Sequence, residues 1–175
     1  MKQVLFKSGK AYVENTPAPS VEPGTVLVHV EYSCISAGTE ISGVRSSGEP
    51  IWKRALKHPD EVKQVLSMVS DQGIRRIHRM VKGKLTSGTA LGYSAAGKVI
   101  AVGEGISDLV EGDKVACAGA QCAHHAEVIR VPRNLVARMP KDLPMESGST
   151  VTLGTIALHG VRRCEPTLGE TIVVV

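Results

Sequence analysis

Over Thr25–Tyr32 every second residue is apolar, while the residues between are mostly polar. Val26, Val28, Val30 and Tyr32 fall on one side and Leu27, His29 and Glu31 on the other. A period of two sustained over that span predicts a half-buried strand. Shorter strands are predicted at Val4–Phe6 and Ala11–Val13, on either side of the turn Lys7–Ser8–Gly9–Lys10. Pro17, Pro19, Pro23 and Gly24 mark a helix-free connector. Ser33–Gly43 is small and polar and is predicted to be a loop. It follows a buried strand, a place where binding and catalytic residues tend to gather.

The pattern changes over Ile51–Leu85, which holds nine Lys or Arg and three acids. Pro59 suits the first position of a helix, with Asp60 and Glu61 in the first turn where negative charge favours the dipole. Val62, Val65, Leu66 and Val69 follow at helical spacing. Gly73 interrupts, and Ile74, Ile77 and Val81 resume the pattern until Gly83. A pair of amphipathic helices inserted at about 52–84 is expected. Their basic residues read as a solvated face, or as a surface meeting another domain, another subunit or an anionic substrate.

Leu91–Cys117 organises the rest. Leu91–Gly92–Tyr93–Ser94 leads through small residues into a strand at Lys98–Val102, then a turn rich in glycine and acid, then a strand at Asp113–Cys117. Further strands are predicted at Ala123–Val131 and Leu135–Arg138, and a helical turn at Met145–Thr150. A helix is predicted over Val151–Arg163, with Leu153, Ile156, Ala157, Gly160 and Val161 on its apolar face. Thr171–Val175 is a continuous β-branched run without polar alternation, the pattern of a strand buried on both faces of a parallel sheet. The expectation is that the chain is cut from a longer one at the start of an α/β domain.

Composition narrows the class. Hydrophobic residues make up 42% of 175 residues, which is ordinary for a globular domain. With one Phe and one Trp, the core must come from Val, Ile, Leu and Ala. A net charge of +4 admits an anionic ligand but does not mark a nucleic-acid binder. No run approaches the roughly 20 apolar residues of a membrane span, and Met1–Lys10 has no secretory apolar region. A cytoplasmic location without membrane or nucleic-acid partners is expected. Cys34, Cys117, Cys122 and Cys164 show no C-x-x-C spacing and read as reduced thiols. Cys34, Cys117, Cys122 and the pair His124–His125 match no metal-binding spacing, and they read as core or loop cysteines and a strand-edge histidine pair. Gly103–Glu104–Gly105 resembles the start of a phosphate-binding loop, but the sixth position is Asp108 and no helix opens after it. A β-turn is expected there.

The ordered series of motifs resembles the N-terminal, GroES-like domain of the medium-chain dehydrogenase/reductase superfamily, which includes the zinc alcohol dehydrogenases and their zinc-free relatives. The series begins with Pro23–Gly24–Thr25–Val26–Leu27–Val28, Ser36–Ala37–Gly38–Thr39–Glu40 and Leu91–Gly92–Tyr93–Ser94–Ala95–Ala96–Gly97. It continues with Val102–Gly103–Glu104–Gly105, Glu111–Gly112–Asp113–Lys114–Val115 and Val131–Pro132–Arg133–Asn134–Leu135. It ends with Leu153–Gly154–Thr155–Ile156–Ala157–Leu158–His159–Gly160 and Leu168–Gly169–Glu170–Thr171. The resemblance implies a mainly β (α+β) fold, a partly open GroES-like barrel over residues 1–168 interrupted by the helical insertion. A C-terminal helix would lead to residues 169–175, the first strand of a truncated Rossmann domain.

In that family a catalytic zinc is held by an early Cys, by a His-Glu pair after a Gly, and by a Cys or acid before the last helix. Those positions fall on Ser36, Tyr93, Ser94 and about Thr152. Hydroxyls are poor zinc ligands, so no metal is expected. The lobe holding the structural zinc is missing too, since Cys117 passes almost directly to Ala123. The insertion, Ile35–Ser36–Ala37–Gly38–Thr39–Glu40 and Leu91–Gly92–Tyr93–Ser94 are together similar to a zinc-free bacterial subgroup. That subgroup is often fused to a sugar-oxidoreductase-type domain and associated with exopolysaccharide biosynthesis.

The resemblance implies the substrate side of an oxidoreductase using NAD or NADP, with a sugar-like alcohol or carbonyl as substrate. The cofactor-binding half would lie outside this chain, so no cofactor-binding residue is assigned. The chain alone is expected to be inactive and not to bind nicotinamide, and a homo-oligomer is left open. Tyr93 and Ser36 are the catalytic candidates, with Tyr93 replacing the metal as hydrogen-bond or proton donor. Thr39, Glu40, Ser94 and Thr152 are the substrate-binding candidates. Each has a plainer alternative: Tyr93 fills the vacated metal position, Ser36 and Thr39 bond the loop backbone, and Glu40 caps. A non-catalytic sugar-binding or assembly module on the same scaffold is the alternative reading of the whole.

Overall fold

The computed structural model describes residues 1–48 and 88–174. The expected helix pair at about 52–84 lies outside the described residues. The chain divides into two compact units: Met1–Thr16 with Ile35–Leu91, and Pro17–Cys34 with Gly92–Val175.

In the first unit, β1 (Lys2–Lys7) and β2 (Lys10–Asn15) form an antiparallel hairpin closed by Ser8 and Gly9. Both residues take positive φ, 51° and 78°, which matches the two-residue turn that suits strand twist. Short β4 (Thr89–Ala90) pairs with the other side of β1, giving the order β2-β1-β4. Leu5 is the buried residue of β1.

The region predicted as the loop Ser33–Gly43 is instead mostly helix: α1 spans Ala37–Ser47. Its small polar residues carry no helical apolar period, which hides it from pattern reading. Local hydrogen bonds account for it. Glu40 carboxylate accepts the Ser36 N–H at 3.0 Å, and Ser36 carbonyl accepts the Glu40 N–H at 2.9 Å. Ser36 therefore stands at the N-cap position with an acid in the first turn, both favourable at a helix start.

The second unit is a five-stranded antiparallel sheet. Its strands are β3 (Thr25–Ser33), β5 (Ser94–Val102), β6 (Lys114–Ala118), β7 (Val128–Pro132) and β8 (Val136–Arg138), in the order β7-β3-β5-β6-β8. Val26, Val28, Val99, Val115, Ile129 and Val131 form its core, as a chain poor in aromatics requires. The valine side of β3 is buried as predicted at Val26 and Val28. It reaches the surface by Tyr32, after register irregularities at Leu27/Val28 and Val30/Tyr32.

β5 starts four residues before the predicted strand at Lys98, because Ser94–Gly97 pair with β6 and Ala95–Gly97 also pair with β3. A Cβ on Gly97 would run into the His29 carbonyl oxygen and sit 3.0 Å from Val30 Cα, so the small residues are what let β3 approach. Gly103–Glu104–Gly105 is a turn, with Gly105 at φ 85° and the Glu104 carbonyl accepting the Gly24 N–H at 2.8 Å. The strand predicted over Ala123–Val131 shortens to β7, and a 3-10 turn at Arg133–Leu135 precedes β8.

A polar clasp ties the Gly103–Asp113 connection to that turn. The Arg133 guanidinium grips the Asp108 carboxylate and donates to the Val136 carbonyl at 2.6 Å. Arg138 donates to the Asp108 carbonyl at 2.6 Å and to the Asp113 carboxylate at 2.7 Å.

Helices α2 (Met145–Ser149) and α3 (Val151–Cys164) follow, as predicted. The apolar face of α3 is open: Ile156, Leu158 and Val161 are exposed. Residues 171–174 carry no strand, and Ile172, Val173 and Val174 are exposed. A strand exists only by pairing, and none of the described strands pairs with this run.

Candidate functional site

The six candidate residues fall into two groups, one in each unit. Ser36, Thr39 and Glu40 share the start of α1. Ser36 is half-buried, and its hydroxyl donates to the Thr39 hydroxyl at 3.4 Å; Thr39 is exposed. Glu40 is buried, and one carboxylate oxygen serves the Ser36 N–H. The capping alternative raised for Glu40 is thus its observed local role, and it fixes the backbone that carries Ser36.

Tyr93, Ser94 and Thr152 come together in the second unit, at the joint between the start of β5 and the start of α3. Gly92 turns the chain there with φ 98°, a conformation that favours glycine. Tyr93 follows, half-buried. Its carbonyl accepts two hydrogen bonds, from the Gly119 N–H at 2.9 Å and from the Thr152 hydroxyl at 2.9 Å. Ser94 is fully buried. Its hydroxyl donates to the Ser149 carbonyl at 2.6 Å and accepts the Thr152 N–H at 3.2 Å. Thr150, the N-cap residue of α3, makes no side-chain capping bond. Ser94, 58 residues before Thr152, supplies the oxygen that the Thr152 amide needs. The Ser94 carbonyl accepts the Cys34 N–H at 3.0 Å, which ties in the end of β3.

The joint therefore holds a phenol on a backbone fixed from several directions. Ser94 and Thr152, expected as substrate contacts, spend the hydroxyl bonds described above on the protein itself.

Sequence reasoning missed Ser33 and His125. The His125 ring is buried and its Nδ1 lies 2.8 Å from the Ser33 hydroxyl. A Cβ on Gly92 would sit 2.7 Å from the His125 N and 3.0 Å from its Cγ, so His125 packs directly on the glycine corner. Only the His-His doublet signalled it, and nothing in the sequence tied it to position 92.

The positions that the resemblance assigns to zinc ligands fall here on Ser36, Tyr93, Ser94 and Thr152. They offer hydroxyls, and those of Ser94 and Thr152 are hydrogen-bonded to backbone. Among the described residues no three His, Cys, Asp or Glu side chains are grouped to hold an ion. Burial pushes the Cys117 thiol up to about 12 and raises the Cys122 thiol. Burial also lowers the His124 pKa, and its Nε2 lies 3.3 Å from the Ala120 carbonyl. No helix among the described residues is long and apolar enough to cross a membrane.

No known protein-family profile matches the chain. It is 30% identical over 141 residues to galactitol 1-phosphate 5-dehydrogenase of Escherichia coli K12, an alignment covering 63% of this chain and 40% of that protein. Among solved structures, galactitol-1-phosphate dehydrogenase from Escherichia coli superposes with TM-score 0.67 at 21% identity, over 94% of this chain and 45% of that one. The quinone oxidoreductase from Coxiella burnetii gives TM-score 0.67 at 19% identity, over 97% of this chain and 47% of that one. A mycobacterial protein complexed with NADPH gives TM-score 0.60 at 16% identity, over 98% of this chain and 42% of that one. The chain thus spans less than half the length of each. Sheet order and these superpositions show the mainly β, GroES-like fold expected from the sequence.

Proposed function

We propose that this chain is the substrate-side part of a zinc-independent, NAD(P)-dependent oxidoreductase acting on a sugar-like alcohol or carbonyl. The observation that carries the reading is the mounting of Tyr93. A phenol stands on a glycine corner whose next carbonyl is held by Gly119 and Thr152, so the backbone beneath it does not have to reorganise during a reaction. Galactitol 1-phosphate 5-dehydrogenase, a polyol-phosphate enzyme by name, supports the substrate class. The fold-mate complexed with NADPH supports the cofactor class.

When bound, the nicotinamide would supply or accept the hydride. The nicotinamide-binding part would belong to a longer protein. This chain's residues would orient the substrate and handle its proton. Tyr93 would donate a hydrogen bond or proton to the substrate oxygen. Ser36, on the capped start of α1, is the second hydroxyl candidate, with exposed Thr39 beside it. Within its own unit Glu40 would support Ser36, and within the other Ser94 and Thr152 would support Tyr93.

A substrate screen of polyols, their phosphates and the matching carbonyls, with NAD and NADP, tests the reading on the protein with its cofactor-binding part. Tyr93→Phe is expected to lower kcat by about 100-fold, the low end of general acid catalysis, and to leave cofactor affinity unchanged. Unchanged turnover would remove Tyr93 from the mechanism. One stoichiometric zinc by elemental analysis would overturn zinc independence.

One observation favours a second reading, a non-catalytic sugar-binding or assembly module. Ser94 and Thr152 are committed to internal bonds, which leaves fewer hydroxyls for chemistry. Absence of nicotinamide-dependent turnover together with retained sugar binding would select it.

A further inference from the structure

We propose that His125 is a positioning residue for Tyr93, holding the Gly92 corner in the one conformation that aims the phenol. The inference rests on the proposed role of Tyr93, but its test does not require turnover.

Four chain segments converge at this joint. Ser33–Cys34 ends β3, Gly92–Ser94 opens β5, Gly119–His125 follows β6, and Ser149–Thr152 joins α2 to α3. Three of the contacts are backbone amides or hydroxyls that hold the Tyr93 and Ser94 peptide groups in place. They fix where the chain runs after Gly92. They do not fix the rotation at Gly92 itself, and a glycine is the residue most free to rotate.

His125 supplies that constraint. The His125 backbone N lies 2.7 Å from the would-be Cβ of position 92, and the His124 carbonyl carbon and the His125 ring Cγ each lie 3.0 Å from it; the ring is the contact that a substitution at 125 removes. The ring cannot swing away, because it is buried and its Nδ1 is held 2.8 Å from the Ser33 hydroxyl. Ser33 is itself the last residue of β3, whose ladder with β5 reaches Ser33↔Ala95. The corner is thus clamped between its own strand and a ring anchored on the neighbouring strand. A looser Gly92 corner would let the Tyr93 Cα shift against its carbonyl contacts and carry the phenol with it, and misplacement by about 1 Å costs on the order of 100-fold in rate.

The test uses the chain with 13C-labelled tyrosine. It has three tyrosines, Tyr12, Tyr32 and Tyr93, and the Tyr93 ring signal is assigned by its loss in Tyr93→Phe. In His125→Ala the Tyr93 signal is expected to shift and broaden while those of Tyr12 and Tyr32 stay in place. His125→Asn, whose side-chain amide can reach the Ser33 hydroxyl much as Nδ1 does, is expected to restore most of the shift. Ser33→Ala keeps the ring and removes its anchor, and is expected to move the same signal by less. It decides the matter if His125→Ala does not fold. An unmoved Tyr93 signal in folded variants overturns the proposal, and so does an equal movement of all three tyrosines. Failure of Tyr93→Phe to alter turnover would overturn the catalytic reading while leaving this mechanical coupling standing.

Discussion

Ser94→Ala separates a substrate contact from a structural anchor. Ser94 is fully buried, so a reading in which it touches substrate and a reading in which it joins α3 to β5 predict different losses. The substitution removes one oxygen and two hydrogen bonds, the 2.6 Å donation to the Ser149 carbonyl and the 3.2 Å acceptance from the Thr152 N–H. Ser149 is buried, so its carbonyl loses a partner that water does not easily replace, at about 2 kcal/mol. The Thr152 amide is only partly buried, and losing its cap costs about 1 kcal/mol. Together these give about 3 kcal/mol, or ~6–12 °C in Tm for a chain of this size. Urea unfolding followed by circular dichroism reads the change as a lower midpoint at unchanged slope, because the surface exposed on unfolding is nearly the same. A loss within about 0.5 kcal/mol of wild type, the range of an ordinary surface substitution, would refute the anchor.

Two further predictions test the frame around the joint. The Arg133 guanidinium hydrogen-bonded to Asp108 holds its carboxyl below the usual carboxylate range. Because the folded-state value is depressed, its contribution is present above the unfolded-state value of about 4 and is lost as pH falls through the lower folded value. The difference in urea midpoint between wild type and Asp108→Asn is therefore expected to be largest near neutrality and to shrink in acid; a gap that is constant or widens in acid would contradict the clasp. For the thiols, Cys164 is exposed, Cys117 is buried with its thiol pushed up to about 12, and Cys34 and Cys122 are intermediate. Iodoacetamide at pH 8 followed by peptide mass spectrometry is expected to modify Cys164 first and Cys117 only on unfolding; early modification of Cys117 would show that the core around it opens.

How much of this was legible in the sequence depends on what each residue answers to. β3 was readable because its alternation is local and Val26 and Val28 do face the core. Helix α3 was readable from its period alone. The start of β5 was not, since Ser94–Gly97 have the composition of a loop. They are strand because the neighbouring β3 backbone comes so close that Gly97 cannot carry a Cβ. α1 was missed for the opposite reason: its stabilisation is a cap at Ser36 and Glu40, and not an apolar stripe.

The same distinction governs the site. Motif matching located Gly92–Tyr93–Ser94 and Thr152 because the resemblance runs along the chain. It assigned roles by residue type, so every hydroxyl looked available to a substrate. The three-dimensional bonds divide those hydroxyls. The groups at Ser94 and Thr152 face backbone partners 55 to 59 residues away in sequence, and no linear pattern encodes such a pairing. His125 is the mirror case. A histidine outside every motif is, through Gly92, among the residues nearest the corner that carries Tyr93. With hydroxyls at these positions, the geometry of the corner comes from contacts within the protein. Here internal hydrogen bonds from Ser94 and Thr152 and the packing of an anchored imidazole supply it. Since the hydroxyls of Ser94 and Thr152 are bonded to backbone, the chemistry in the proposed function falls to the Tyr93 phenol, and Tyr93→Phe tests it.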